Sequence, residues 1–187
     1  MGAAEPRPSA AAPEYPARYE ADIVLRSGST LRLRPIKPTD AAGLLDFYKR
    51  LSPESLYFRF FTVPNADPQK AAYLARVDYE NQFALVGETP EGIIAVGRFY
   101  RDPKRPDCAE AAFTIADALQ GQGIGTGLLE RLAAIAREKG ITTFEADVLP
   151  ANQKMLEVFA NSGFEMSQRV EGGVVRIALS LLPTVPA

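Results

Sequence analysis

One stretch limits what this chain can fold into more than any other: Gln120-Gly121-Gln122-Gly123-Ile124-Gly125-Thr126-Gly127 runs straight into Leu128-Leu129-Glu130-Arg131-Leu132-Ala133. Apolar residues at Leu128, Leu129, Leu132, Ile135 and Ala136 recur at helical spacing, so an amphipathic helix is predicted to open directly behind a glycine-rich turn. Glycines clear side chains from such a turn and let several backbone N–H groups face one point. With the positive end of the helix dipole, those donors make an anion site suited to a phosphorylated ligand. Spacing separates the glycine-rich phosphate loops that compete for the stretch. A dinucleotide fingerprint needs G-x-G-x-x-G, but its last position would be Thr126 or Leu128. A P-loop needs Gly-Lys before Ser or Thr, and the loop has no lysine. The pattern that fits is Q-x-x-G-x-G, with Gln120, Gly123 and Gly125 in place. The competing reading is a packing point, where glycines let a helix lie close to a strand.

The length of 187 residues suits one domain with a sizeable core. A net charge of −2, without a basic run interleaved with aromatics, speaks against nucleic acid as a partner. The single cysteine, Cys108, excludes an internal disulfide framework and suits a reducing compartment. No apolar stretch approaches about 18 residues, so no membrane span is expected, and the chain reads as cytoplasmic. Residues 1–17, rich in Ala and Pro, are expected to be a disordered tail, with the domain proper over 18–187. The sequence contains no histidine, which removes Ser-His and Cys-His pairs and the usual histidine-containing zinc site; no metal is expected.

Coarse periodicity predicts the element order β-β-α-α-α-β-β-β-α-β-α-β-β. Asp22 to Arg26 and Thr30 to Arg34 flank Ser27-Gly28-Ser29 as a hairpin. Thr39 and Asp40 offer an N-cap for a first helix, and Ser52-Pro53-Glu54 and Asp67-Pro68 open two more. Glu110 to Ala116 is the strand that feeds the glycine loop, and Thr143 to Leu149 is the next strand. A helix from Asn152 to Asn161 and a closing hairpin around Gly172-Gly173 complete the chain. A parallel pair with a helical crossover is thus expected inside an otherwise antiparallel sheet.

This succession, from Leu31-Arg32-Leu33-Arg34-Pro35 through Q-x-x-G-x-G to Asn152 and Gly163-Phe164, resembles a complete GNAT acetyltransferase domain over roughly Tyr19 to Leu182. The segments Tyr15 to Asp22 and Arg50 to Phe61 are similar to the bacterial protein lysine acetyltransferases called Pat. In that family the domain is often fused to a cyclic-nucleotide-binding or acyl-CoA-synthetase-like domain, for which this length has no room, so the resemblance carries only the catalytic unit. It implies an α/β GNAT fold: a mixed, mostly antiparallel sheet with a central parallel strand pair and flanking helices. It further implies acetyl-CoA as cosubstrate, a protein lysine as acceptor and an AMP-forming acyl-CoA synthetase as favoured partner. The amides of Gln120, Gly121, Gln122, Gly123, Ile124, Gly125 and Thr126 would hold the pyrophosphate. Phe113, Thr114 and Ile115 would pair with the pantetheine arm through their backbones, which leaves their side chains free to be ordinary core. Asn152 would contact the same arm, although it is also a good helix N-cap. Phe159 departs from the family, many of whose members carry at this position a tyrosine that protonates the leaving thiolate. It is expected to be a packing wall beside the cofactor.

Glu110 is the predicted base. A lysine ε-amine of pKa about 10.4 is neutral in roughly one molecule in a few thousand near pH 7, so its acetylation needs help in losing a proton. Without histidine a carboxylate is the natural candidate, and lysine acetyltransferases of this superfamily place a glutamate here. The alternative is a solvated strand-end acid or an ion pair with Arg98 or Lys104. Asp107, Glu145 and Asp147 are the fallback candidates. Cys108 has no histidine or cationic neighbour in the sequence to lower its pKa, and is read as an inert thiol. Arg59-Phe60-Phe61 either lines a protein-substrate groove or belongs to the core. Two other functions stay open: acetylation of a small-molecule amine, and a non-catalytic acyl-CoA sensor.

Overall fold

The central strands are legible in their burial. β3 (Gln82–Thr89) and β4 (Gly92–Arg101) are covered on both faces, while the terminal strands β1 (Ala21–Val24) and β7 (Glu165–Glu171) expose half or more of their residues. With β2 (Thr30–Pro35), β5 (Cys108–Ile115), β6 (Thr143–Val148) and β8 (Val174–Ser180) they form an eight-stranded sheet of order β1-β2-β3-β4-β5-β6-β8-β7. The computed structural model describes residues 11–184.

Each sheet face carries its own core. Phe83, Leu85, Phe99, Phe113 and Phe144 pack against α4 (Ile124–Glu138), whose Leu128, Leu129 and Leu132 are fully buried. On the other face Ile36, Val86 and Val96 meet Leu44, Phe47 and Tyr48 of α1 (Ala41–Arg50) and Leu74 of α3 (Pro68–Ala75). Between them in the chain comes α2 (Pro53–Phe60), which lies against β5 and is capped by the Ser52 side chain, which accepts from the Ser55 N–H. The last helix, α5 (Gln153–Ala160), follows β6. The helices and strands appear in the order that the sequence predicts.

One register detail shapes the functional region. β5 pairs antiparallel with β4 from Ala109 to Ile115, but in parallel with β6 only at Cys108↔Thr143, Ala109↔Phe144 and Glu110↔Glu145. Beyond Glu110 the two parallel strands part, leaving the β6-side edge of residues 111–115 without a strand partner.

Two expectations need adjustment. Asp40 does not cap α1: its carboxylate accepts from the Lys37 N–H at 2.7 Å and from both Nη atoms of Arg34 at 2.8 Å, so a short 3-10 turn precedes the helix. Of the expected tail, residues 1–10 lie outside the described residues, but Tyr15 already belongs to the packed domain. Its ring meets Tyr79 edge-on at 6.2 Å, and its hydroxyl donates to Glu20 at 2.9 Å.

Candidate active site

Where β5 and β6 part, a groove of about 810 Å³ opens between α2, the glycine loop and α5. Glu110, Phe113, Thr114, Ile115, Gln120, Gly121, Gly123, Ile124, Gly125, Thr126, Asn152 and Phe159 all line it. Gln122 does not; its carbonyl accepts from the Arg26 N–H at 3.1 Å, which ties the loop to the β1–β2 hairpin.

The glycines of the loop fall into two kinds. Gly121 (φ +81°) and Gly123 (φ +90°) sit in the left-handed region, and Gly123 is the N-cap of α4 with no side-chain cap bond. The N–H groups of residues 121–126 consequently donate to no acceptor among the described residues. Gly125 and Gly127 instead admit neighbours: a Cβ on Gly125 would stand 3.2 Å from Val158 of α5, and one on Gly127 would stand 2.7 Å from Ile23 of β1.

The loop is braced from behind. Gln120 Nε2 donates to the Ile115 carbonyl at 3.2 Å and to Ser55 Oγ at 3.3 Å. Ser55 and Ser52 hydroxyls donate to Asp117, each at 2.7 Å, and the Ser52 N–H adds a bond at 3.0 Å. Burial pushes the Asp117 carboxyl up, but these donors outweigh it and hold the group below the usual carboxylate range. Two cations also reach the loop, and the sequence reading missed both. Arg26 Nη1 donates to the Gly121 carbonyl and Lys154 Nζ to Gln120 Oε1, each at 3.1 Å, and both side chains line the groove. They lie 95 and 34 residues from their partners, so no local spacing announces them.

At the other end, Glu110 is exposed and makes no ion pair or side-chain hydrogen bond among the described residues. The expected alternative, a bridge to Arg98 or Lys104, is not formed. The fallback acids are less available. Glu145 accepts two bonds from Arg105 at 2.7 and 2.8 Å, which hold its carboxyl below the ordinary range, and Asp147 lies 3.5 Å from Arg176. The side chain of Asp107 does not line the groove; its carbonyl accepts from the N–H groups of Thr142 and Thr143. Burial and the Asp107 charge push the Cys108 thiol up, the opposite of nucleophile activation. Asn152 caps α5 through its side-chain oxygen, which accepts from the Met155 N–H at 3.3 Å, and it lines the groove as well. Phe159 is 1% exposed and stacks edge-on against Phe113 at 6.0 Å, as a wall. Arg59, on α2, lines the groove beside Glu110 without an ion pair among the described residues. Burial lowers its guanidinium pKa.

Free donors at one end and an unpaired carboxylate at the other suit acyl transfer from a phosphate-bearing thioester. Comparison with known proteins gives the family. The family model for the acetyltransferase (GNAT) domain matches residues 30–165. Acetyltransferase Pat of Mycolicibacterium smegmatis is 35% identical over 170 residues, 88% of this chain and 50% of that protein, so the chain spans half the length of this relative. The crystal structure of the GNAT domain of S. lividans PAT superposes with TM-score 0.82 at 41% identity, covering 89% of this chain and 99% of that one. A putative acetyltransferase from Salmonella typhimurium, solved with its cofactor acetyl-CoA, shares the fold at TM-score 0.66 and 19% identity, over 84% and 98% of the two chains. With the domain match spanning most of the sequence, the chain belongs to the GNAT acetyltransferases.

Proposed function

We propose that the chain moves the acetyl group of acetyl-CoA to the ε-amine of a protein lysine, with an AMP-forming acyl-CoA synthetase as the favoured acceptor, in the cytoplasm. The observation that carries this reading is the pairing of ends within one groove: uncommitted N–H donors over residues 121–126, and Glu110 unpaired among the described residues. Acetyl-CoA supplies an activated acyl carbonyl and a thiol leaving group, and the residues present fit it. The free amides of the loop, flanked by Arg26 and Lys154, suit a pyrophosphate. The unpartnered edge of residues 111–115 suits an extended amide-bearing arm, with Asn152 at hand across the groove.

Glu110 takes the proton of the lysine ammonium, directly or through one water. Near pH 7 that proton opposes attack by about 4.6 kcal/mol. Transfer is direct, within a complex of both substrates, since Cys108 is no nucleophile and no histidine exists to activate one. Phe159 offers no proton to a departing thiolate, and an ordinary thiol pKa of about 8.5 makes departure with protonation by water tolerable.

The test is to incubate the chain with acetyl-CoA and a synthetase, map acetyl-lysine by mass spectrometry, and run Glu110→Gln in parallel. We expect lysine modification that falls about 10²–10⁴-fold in the variant, with acetyl-CoA affinity by calorimetry within about twofold of the parent. Turnover of small amines alone would move the acceptor to a metabolite. Equal rates for both proteins across the pH range would remove Glu110 from the mechanism.

A further inference from the structure

The glycines that clear the phosphate loop also leave its peptides free to turn over. A trans peptide holds its N–H and its C=O on opposite sides, so each loop donor points where the carbonyl of the same peptide does not. Gly121 (φ +81°) and Gly123 (φ +90°) carry no Cβ to resist rotation of the peptides beside them. A peptide turned over would offer a phosphate its carbonyl, the repulsive end, in place of the N–H. No bond from the donor side opposes that turn, since the N–H groups of residues 121–126 reach no acceptor among the described residues. The restraint therefore has to act on the carbonyls.

Arg26, in the turn of the β1–β2 hairpin, holds two of them. Its N–H donates to the Gln122 carbonyl at 3.1 Å, and its Nη1 donates to the Gly121 carbonyl at 3.1 Å. The first bond fixes the peptide that carries the Gly123 N–H, and the second fixes the peptide that carries the Gln122 N–H. Both Gly121 and Gly123 line the groove, so each of these peptides has one end there. The Arg26 stem lies along the loop, with Cγ 3.8 Å from the place of a Cβ on Gly123. The hairpin is itself seated. Ile23 of β1 packs against Gly127 in the first turn of α4, where an added Cβ would come within 2.7 Å of it. The Leu25 N–H donates to the Ser29 carbonyl at 2.8 Å and closes the turn. Lys154, the other cation at the loop, meets only the side-chain oxygen of Gln120 and holds no peptide.

We infer that Arg26 is a positioning residue for coenzyme A. It locks the 121–122 and 122–123 peptides in the orientation that offers N–H groups to the pyrophosphate, and it acts through their carbonyls rather than as a counter-ion to the phosphate. The inference rests on the proposed seat of the pyrophosphate and names what keeps that seat in shape before the ligand arrives.

NMR of the ligand-free protein and calorimetry together decide it. Arg26 is exposed, so Arg26→Met, which keeps the stem and loses the guanidinium, disturbs the loop without endangering the fold. In the ligand-free variant the amide signals of Gln122 and Gly123 should shift and broaden as their peptides exchange between orientations, while that of Ala136, far along α4, stays in place. Coenzyme A affinity should fall roughly five- to twentyfold, because the ligand must then order the peptides itself. Affinity in Arg26→Met equal to the parent overturns the role. So does a loss of affinity with the ligand-free Gln122 and Gly123 signals unmoved and as sharp as in the parent, since Arg26 would then serve the phosphate directly. A parent that binds no coenzyme A would sink the groove assignment and the lock with it, a result distinct from a parent and a variant that bind alike.

Discussion

At Gly123 the backbone is held at φ +90° and ψ 4°, where a Cβ is strained by roughly 1–2 kcal/mol, and this residue opens α4 with its donors uncapped. Gly123→Ala should therefore act on the ligand more than on the fold. Space is not the issue, since the nearest atom to an added Cβ is Arg26 Cγ at 3.8 Å. Relief of the strain would turn N–H groups away from their common point. We expect coenzyme A affinity to fall about tenfold or more, with thermal stability lowered only slightly. Unchanged affinity by calorimetry would mean that the amides are not the anchor. Gly97 makes the contrasting case. A Cβ there would lie 2.9 Å from Leu132 and 3.0 Å from Phe113, in the contact between α4 and the sheet. Gly97→Ala should cost about 1–3 kcal/mol of unfolding free energy by urea titration, through overpacking. A variant as stable as the parent would show that α4 can shift without penalty.

Elements were legible where local chemistry decides them. Ser52, Asp67 and Asn152 each cap the helix that they were expected to open, accepting from Ser55, Gln69 and Met155 N–H groups. The strand feeding the glycine loop, expected over Glu110 to Ala116, runs Cys108–Ile115, and its Ala109, Ala111 and Phe113 join the core that includes α4. What stayed hidden is what the fold brings together over long separations. Arg26 meets the loop from a hairpin 95 residues away, and Asp117 gathers Ser52 and Ser55 from 65 and 62 residues away. Asp40 looked like a cap because Asp before a helix usually is one; Arg34 outbids the helix N–H groups by offering a charge-assisted, two-pronged partner. The Asp117 brace carries its own prediction. Ser55→Ala removes both the hydroxyl that donates to Asp117 and the acceptor of Gln120 Nε2, so α2 and the loop lose a shared support. Coenzyme A affinity should fall severalfold, on the order of one hydrogen bond's 0.5–1.5 kcal/mol, although Ser55 is proposed to touch no phosphate. Affinity equal to the parent would show that the loop holds its shape alone.

The whole molecule is a sheet held between two cores, and its first strands are joined to the α1 side by one ion network. Arg34 of β2 grips Asp40 at 2.8 Å and Glu88 of β3 at 2.9 Å, with Arg34 and Asp40 side chains only 13% and 12% exposed. Burial alone would raise the Asp40 carboxyl. The bonds from Arg34 and from the Lys37 N–H outweigh it, so its folded pKa lies below the ordinary value. A depressed carboxyl contributes stability that is fully present above the unfolded value of about 3.9 and is lost as pH falls through the lower folded value. Asp40→Asn keeps the side-chain shape but removes the charge beside a largely buried guanidinium. At pH 7 the variant should be about 1–3 kcal/mol less stable by urea unfolding. The gap should close as pH drops below about 4, because the parent's carboxylate then protonates and the asparagine has nothing to lose. Parallel stability curves down to acid pH would mean that Asp40 feels the same field folded and unfolded. In that case the joint between β2, β3 and α1 would rest on its apolar contacts, with Ile36, Leu44 and Val86 carrying what the ion network does not.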